Sequence, residues 1–516
     1  MTQEDGTSLA LGQRVVVHGR HRATVRYVGA VDGHEGLWVG LEWDDPGRGK
    51  HDGSHDGKTY FVSSVPGAAT FVRYASLVKH GLSTGISLEE AVRIKYGTLK
   101  DVSAVANQVV RGDVERINEF LREDGALEVA GLASLRVSSV RDRLPFLRNV
   151  RELDLSDNLL SGQSWGALLG LAASLPSLRV LNVSNNRMGD VPIGDVGTEY
   201  RNDSVTTLAL NGCMITSEDT VRWIAAAFPA VVELYLFDNR IRIGGTGPVC
   251  FPALQVLDLG QNGLASWADL DRSLGDLPSL RVLSLEGNGI DEVRVSAGDR
   301  FPALEQLSVA RNGVADWDRG IQEMGLLPRL KQLRFTENPL CTDEPDVDRL
   351  IALGRLGSLV WINGSDVTAA ERRDCELAFV RSLDRFVPGG VSLSVPLEAR
   401  VAALERQYAV SRNASGAGSV ACTSMEQSMV VMELVRGGTR VATKRVPSSL
   451  TLEKLKRVAD RLLARGNNDG VGDGHVEVVL NGLRFEAAAL FGGEEERGRE
   501  GGSVAEILLS NDRRSA

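Results

Sequence analysis

Apolar residues along this chain follow three different periods, and each period predicts a different kind of element. Residues 11–80 carry short alternating runs broken by glycine: Arg14–His18, Ala23–Tyr27, Leu37–Trp43, Thr59–Val62 and Thr70–Tyr74. Strands this short and this closely spaced predict a small barrel-like β module. Helical spacing then appears in Leu88–Ile94 and Val114–Leu121. From Val150 the pattern LxxLxLxxNxL takes over, first as Val150-Leu153-Leu155-Asn158-Leu160. Seven further copies put the second leucine at Leu181, Leu208, Leu234, Leu257, Leu283, Leu307 and Leu333, at intervals of 23 to 28 residues.

That interval is the leucine-rich-repeat period, and eight copies predict a solenoid. The LxL leucines point inward, and the asparagine turns inward to bond backbone groups left open where each strand ends. Cys213 stands at one asparagine position. A degenerate copy is expected at Leu132-Leu135-Val137, and one more strand at Leu359–Asn363. The polar helix Thr368–Val380 should close the open end of the core, because a terminal repeat needs a cap. Residues 384–427 read as a linker with one helical stretch, Leu397–Tyr408. Beyond it, Val430–Val435 and Arg440–Val446 predict a hairpin around Gly437-Gly438, followed by helix Thr451–Ala464 and strands His475–Leu480 and Glu506–Leu509. That order suits a ubiquitin-like roll. The expected fold class is therefore multidomain: a small all-β barrel at 10–80, a helical connector and cap at 81–131, an α/β solenoid at 132–383, a linker at 384–427 and an α+β roll at 428–512.

Composition narrows the function. The chain has 516 residues, 43% hydrophobic and 24% charged, which is ordinary globular usage and about three domains' length. The longest apolar stretch, Ala167–Leu175, is far below the roughly 20 residues a membrane span needs, and the N-terminus shows no secretory pattern. Five cysteines without a CxxC pair predict reduced thiols in a cytosolic protein. Net charge is −10, which argues against nucleic acid as a partner. The charge is uneven: residues 11–80 hold nine Lys/Arg against seven Asp/Glu, so the remainder carries −12.

The sharpest short motif is Gly49-Lys50-His51-Asp52-Gly53-Ser54, set between Gly36-Leu37-Trp38-Val39-Gly40-Leu41-Glu42-Trp43 and Gly57-Lys58-Thr59-Tyr60-Phe61, with Phe71-Val72-Arg73 further on. Aromatics beside a glycine-rich loop can make a shallow apolar pocket, and the glycines let backbone amides approach a carboxylate. Lys50 supplies charge for that carboxylate. The stretch resembles the CAP-Gly domain, a module that binds the acidic Glu-Glu-Tyr/Phe C-terminal tails of tubulin and related proteins. The resemblance implies a tail-binding site of Trp38, Trp43, Gly49, Lys50, His51, Asp52, Gly53, Phe61, Phe71 and Arg73. Where that family's usual motif has Asn, this chain has His51.

The order CAP-Gly, leucine-rich repeats, ubiquitin-like domain resembles the tubulin-folding cofactors, most closely in Arg48–His55. The resemblance implies a non-catalytic cytoplasmic, cytoskeleton-associated protein without a bound cofactor. Its partners would be α-tubulin and the tubulin dimer, together with cofactors B, C and D, in assembly or dissociation of the αβ heterodimer. Enzyme signals fail independently. Gly53–Thr59 has three residues between its glycines where a phosphate loop needs four, and no GxSxG, HExxH or metal-spaced Cys/His pair occurs. His51 and His55 would share a metal only on a helix, which this glycine-rich stretch does not predict.

A second contact is expected on the concave face of the solenoid. Residues alternating with the LxL leucines point outward there. In repeats four to six they are Glu233, Tyr235 and Phe237, then Val256, Asp258 and Gly260, then Val282, Ser284 and Glu286. Tyr235, Phe237, Val256 and Val282 make an apolar spot among carboxylates, the kind of patch that marks a protein contact. The alternative from another class is a ubiquitin-system adaptor, with repeats for substrate and the tail domain for proteasome docking. The C-terminus lacks the Gly-Gly that conjugation requires.

Overall fold

The computed structural model describes residues 9–97, 127–191, 200–244, 247–296, 300–386, 393–410 and 412, and four strands beyond 428. The chain divides into two compact units, residues 1–412 and 413–516.

The N-terminal part holds β1 (Arg14–Val17), β2 (His21–Val31), β3 (His34–Trp43), β4 (Ser54–His55), β5 (Lys58–Thr59) and β6 (Ala69–Arg73). Strands β1, β2, β3 and β6 form one antiparallel sheet in that order, while β4 and β5 pair with each other. Val15, Val17, Val25, Val39, Leu41, Trp43 and Leu77 pack as the core. Of the strand expected over Thr59–Val62 only Thr59 is in a strand, at the end of the β4–β5 hairpin. Its turn residues Asp56 and Gly57 both take positive φ (46° and 77°). Asp-Gly is the pair that a two-residue hairpin turn favours, because its twist matches that of the strands.

The repeats stack as an eleven-stranded sheet running from Val129–Gly131 to Ser365–Asp366, parallel throughout except for its last pair. The leucines lie in register, with Leu153 opposite Leu181, Leu208 opposite Leu234 and Leu307 opposite Leu333. The degenerate first copy begins earlier than expected. Its strand is Val129–Gly131, with Ala130 opposite Leu153, so Leu132 takes the second inward position and Leu135 the asparagine position. The small Ala130 side chain hides the pattern.

Each ladder asparagine bonds two repeats. Asn239 Nδ2 donates to Leu210 O at 2.9 Å and Leu236 O at 3.0 Å, while its Oδ1 accepts from Cys213 N and Ile215 N, both at 3.0 Å. Cys213 donates through Sγ to Val183 O at 3.4 Å, and burial pushes its thiol up to about 12.

Helix Ala369–Arg381 closes the solenoid, its N-terminus held by a capping box between Thr368 and Glu371. The helix expected inside the linker also belongs to this cap. Val395–Tyr408 buries Leu397, Val401 and Leu404, and Arg400 and Tyr408 each bond the buried Glu376 at 2.6 Å. Helix periodicity in isolation could not show which surface that apolar face meets.

In the C-terminal unit, Met429–Arg436 and Thr439–Pro447 form the expected hairpin. Val476–Leu480 pairs antiparallel with Met429–Arg436, and Leu483–Glu486 with Val476–Leu480. The helices expected at Val114–Leu121 and Thr451–Ala464 and the strand at Glu506–Leu509 lie outside the described residues. Among the described residues, no helix is long and apolar enough to cross a membrane.

Candidate functional site

The loop between β3 and β4 is held against the start of β6. Lys50 N donates to Ala69 O at 2.8 Å, and Ala69 N donates to His51 O at 3.0 Å. Two glycines make this approach possible. A Cβ on Gly49 would lie 1.8 Å from Gly67 O, and one on Gly53, whose φ is +111°, would lie 2.1 Å from Phe61 O. No side chain fits at either position.

Phe71 is the centre of the aromatic packing that this loop covers. His51 stacks on it at 5.0 Å, and Tyr27, Tyr60 and Phe61 meet it edge-on at 5.4 to 6.0 Å. Backbone amides aim at both nitrogens of His51: Gly53 N at Nδ1, 3.0 Å, and Phe71 N at Nε2, 3.2 Å. An imidazolium has no lone pair for either, and a neutral ring accepts at one of them, the shorter contact being that to Gly53. Burial likewise holds the ring's pKa below the ordinary histidine value.

Beside this loop lies a groove of about 210 Å³ lined by Val31, His34, Trp38, Lys50, His51, His55, Thr70 and Phe71. Arg73 lies over the Trp38 ring at 5.2 Å. The buried indole N–H of Trp38 has no hydrogen-bond acceptor. The groove thus combines an exposed ammonium with an apolar, aromatic floor. Such a set suits an extended peptide with a carboxylate beside an apolar or aromatic group.

Of the residues expected at the site, Trp38, Lys50, His51 and Phe71 line the groove together. Gly49 and Gly53 shape the loop, Phe61 packs on Phe71, and Arg73 covers Trp38. Two side chains are placed elsewhere. Trp43 is buried in the barrel core, its Nε1 donating to Thr70 Oγ1 at 3.2 Å. Asp52 accepts from Ser54 N at 3.2 Å, which closes a local turn and lowers its pKa. Alternation along β3 puts Leu41 and Trp43 on the inner face, a consequence of period two. His34 lines the groove without having been singled out, and His55, weighed in sequence only as half of a metal pair, lines it too. Their signal was compositional: six of the seven histidines fall between residues 18 and 80.

A second cavity, about 430 Å³, lies where the barrel meets the repeats, with Arg14, Arg26, Arg187 and Arg240 in its wall. Its charges are largely answered from within. Arg14 bonds Asp44, Arg26 bonds Glu42, and Arg187 bonds both carboxylates at 3.0 Å. Further contacts join barrel to solenoid: Arg22 to Asp157, Arg136 to Gly19 O at 2.9 Å and Gln163 to Leu11 O at 3.1 Å.

On the concave face Tyr235 and Phe237 are half-buried, and Tyr235 donates to Glu233 at 3.2 Å. The Phe237 ring rests over Gly260, where a Cβ would come within 2.8 Å of it. Among the described residues, no group of three or more His, Cys, Asp or Glu is arranged to hold a metal ion.

The barrel with its glycine-rich groove and the stacked leucine strands define a CAP-Gly protein with a leucine-rich-repeat solenoid. A CAP-Gly domain model matches residues 11–77, and a leucine-rich-repeat model matches residues 174–191. The tubulin-specific chaperone E of Danio rerio is 34% identical over 387 residues, covering 72% of this chain and 72% of that protein. The tubulin-folding cofactor E of Arabidopsis thaliana is 28% identical over 494 residues, covering 89% and 90%. The chain belongs to the tubulin-specific chaperone E family. Among solved structures, the Bik1 CAP-Gly domain with an ETF peptide from Bim1 is 30% identical, covering 14% of this chain and 89% of that one, with a TM-score of 0.12.

Proposed function

We propose that this chain is a tubulin-folding cofactor that holds α-tubulin at two places and takes part in assembly or dissociation of the αβ heterodimer, with cofactors B, C and D. Membership of the family supports the tubulin partner. The observation that carries the tail contact is the groove, which brings Lys50 together with the rings of Trp38 and Phe71.

In this reading the acidic C-terminal tail of α-tubulin lies in the groove. Lys50 neutralises its terminal carboxylate, Trp38 supplies an apolar wall, and Phe71 takes the terminal aromatic ring. Gly49, His51, Asp52 and Gly53 hold the loop in shape, Phe61 and Arg73 support the two rings, and Trp43 supports the sheet from the core. Glu233, Tyr235, Phe237, Val256 and Val282 meet the tubulin body. The work is done by binding alone, with no catalytic residue. We read the strands beyond 428 as part of a ubiquitin-like roll, supported by the hairpin and the apolar face of residues 451–464 in sequence. The proposed location is the cytoplasm, on the cytoskeleton.

The test is a binding titration of the full chain with a peptide ending Glu-Glu-Tyr. Lys50→Ala should weaken it by roughly 1.5–3 kcal/mol, the range for a hydrogen bond to a charged group. Equal affinity for the C-terminally amidated peptide would overturn the carboxylate contact.

A further inference from the structure

Two histidines bring a second chemistry to the groove. His34 opens β3 and His55 ends β4, and the chain between them returns their rings to one wall, Nε2 to Nε2 at 3.0 Å. His34 also leans on Trp38, with ring centroids 5.4 Å apart. A contact between two ring nitrogens requires one to donate and the other to accept, so at least one of the two rings is neutral. Imidazole is also the side chain whose ordinary titration spans the range from about pH 5 to pH 8.

The surrounding charges decide what happens when an acidic ligand enters. Lys50 and His51 line the same groove. Asp56 has its carboxylate 3.7 Å from His55 Nε2, and Asp32 is paired with Lys58 at 2.8 Å. Asp52 is turned into its own loop, and Arg73 lies over Trp38. Glu35, next to His34 in sequence, is exposed. One carboxylate, that of Asp56, therefore lies near the pair, and the ammonium of Lys50 stands on the groove wall. A ligand carboxylate arriving at the two rings would replace their mutual hydrogen bond with one accepted from each, and would favour the state in which both carry two protons.

The geometry points to the His34–His55 pair as a subsite for an acidic side chain next to the terminal residue of the bound tail, taking up a proton as it fills. This rests on the tail-binding reading given above. The Lys50 ammonium attracts any carboxylate, whereas the histidine pair answers specifically to negative charge beside the terminus. Binding of a Glu-rich tail should thus tighten as the pH falls, and binding of a tail without acidic side chains should not, because acid only loosens the His51 loop.

The test measures the full chain against two peptides, one ending Glu-Glu-Tyr and one ending Gln-Gln-Tyr, at about pH 7.5 and about pH 6. Uptake of one proton can change affinity by at most about tenfold per pH unit, so the acidic peptide should bind roughly five- to tenfold tighter at the lower pH. The Gln peptide should show no comparable gain, and His34→Asn with His55→Asn should flatten the response of the acidic peptide. Calorimetry of the unmodified chain in two buffers of different ionisation heat gives an independent readout: the apparent enthalpy should differ between them. Tight acidic-peptide binding with no pH response, no proton uptake, or an undiminished response in the double variant would overturn the subsite while leaving the tail site standing. Failure of the acidic peptide to bind at either pH would overturn both.

Discussion

The guanidinium of Arg187, in the second repeat, donates to the carboxylate of Glu42 on β3 at 3.0 Å, and Glu42 is fully buried. The same carboxylate accepts from Arg26 at 2.8 Å and from the backbone and hydroxyl of Ser64, in the segment linking Phe61 to β6. One buried charge therefore joins the solenoid, the barrel sheet and a loop that runs from the groove's aromatics. Burial pushes the Glu42 carboxyl up, but the bonds from Ser64 and the charge of Arg26 outweigh it and hold its pKa below the ordinary value.

Removing one partner of a buried ion pair leaves the other charge exposed to a low dielectric, typically at about 3–5 kcal/mol. Arg187→Ala should cost somewhat less, about 2–4 kcal/mol, because Arg26 and Ser64 stay in place. Denaturant unfolding measures it, and a double-mutant cycle with Glu42→Gln should show coupling between the two sites. Because the folded pKa is depressed, this stabilisation is present above the unfolded glutamate pKa and is lost as the pH falls through the folded value. The difference between wild type and Arg187→Ala should shrink correspondingly in acid.

His51 has the same sign of dependence for a different reason. Its folded pKa lies below the ordinary histidine value because burial disfavours the charged ring, and only the neutral ring keeps a lone pair for the Gly53 amide. Its contribution to loop stability is complete above the unfolded histidine pKa and disappears as the pH falls through the folded one. An NMR titration of the His51 ring should give a midpoint below the ordinary histidine value of 6.5, with the Gly53 amide resonance moving at the same midpoint. A midpoint at or above that value would contradict this account.

Asn239→Ala removes five hydrogen bonds to backbone groups, three of them across to the preceding repeat through Leu210 O, Cys213 N and Ile215 N. An unsatisfied buried group costs about 1–3 kcal/mol, and water reaching the gap will recover part, so a loss of roughly 2–4 kcal/mol is expected. Thermal melting should show it. A shift within error would mean that the ladder contributes little beyond leucine packing.

Tyr235→Ala with Phe237→Ala tests the concave face. Both rings are half-buried on the strand surface, so the melting temperature should fall only modestly. Binding to tubulin whose acidic tails have been removed should weaken by about tenfold or more, as expected when aromatic anchors of an interface are truncated. A double variant that binds tailless tubulin at full strength would exclude this face as the second contact.

Sequence periodicity alone determined the solenoid and its approximate extent. An inward leucine every second residue and an asparagine after each strand leave few other ways to bury the apolar side chains and satisfy the turns. The glycine-rich loop was equally legible, since Gly49 and Gly53 sit where a Cβ would strike backbone. The first repeat was displaced because Ala130 is too small to mark an inward position, and Trp43 reads in sequence like any other aromatic near the motif. Only the tertiary structure decided that Trp43 fills the core, that helix Val395–Tyr408 caps the solenoid, and that His34 meets His55 on one wall of the groove. Only it, too, decided that Glu42 and Arg187, 145 positions apart, share a buried bond. Local pattern records what each short segment must bury. Which distant side chain arrives to satisfy a charge or complete a groove depends on how the finished elements pack, and no short-range period carries that information.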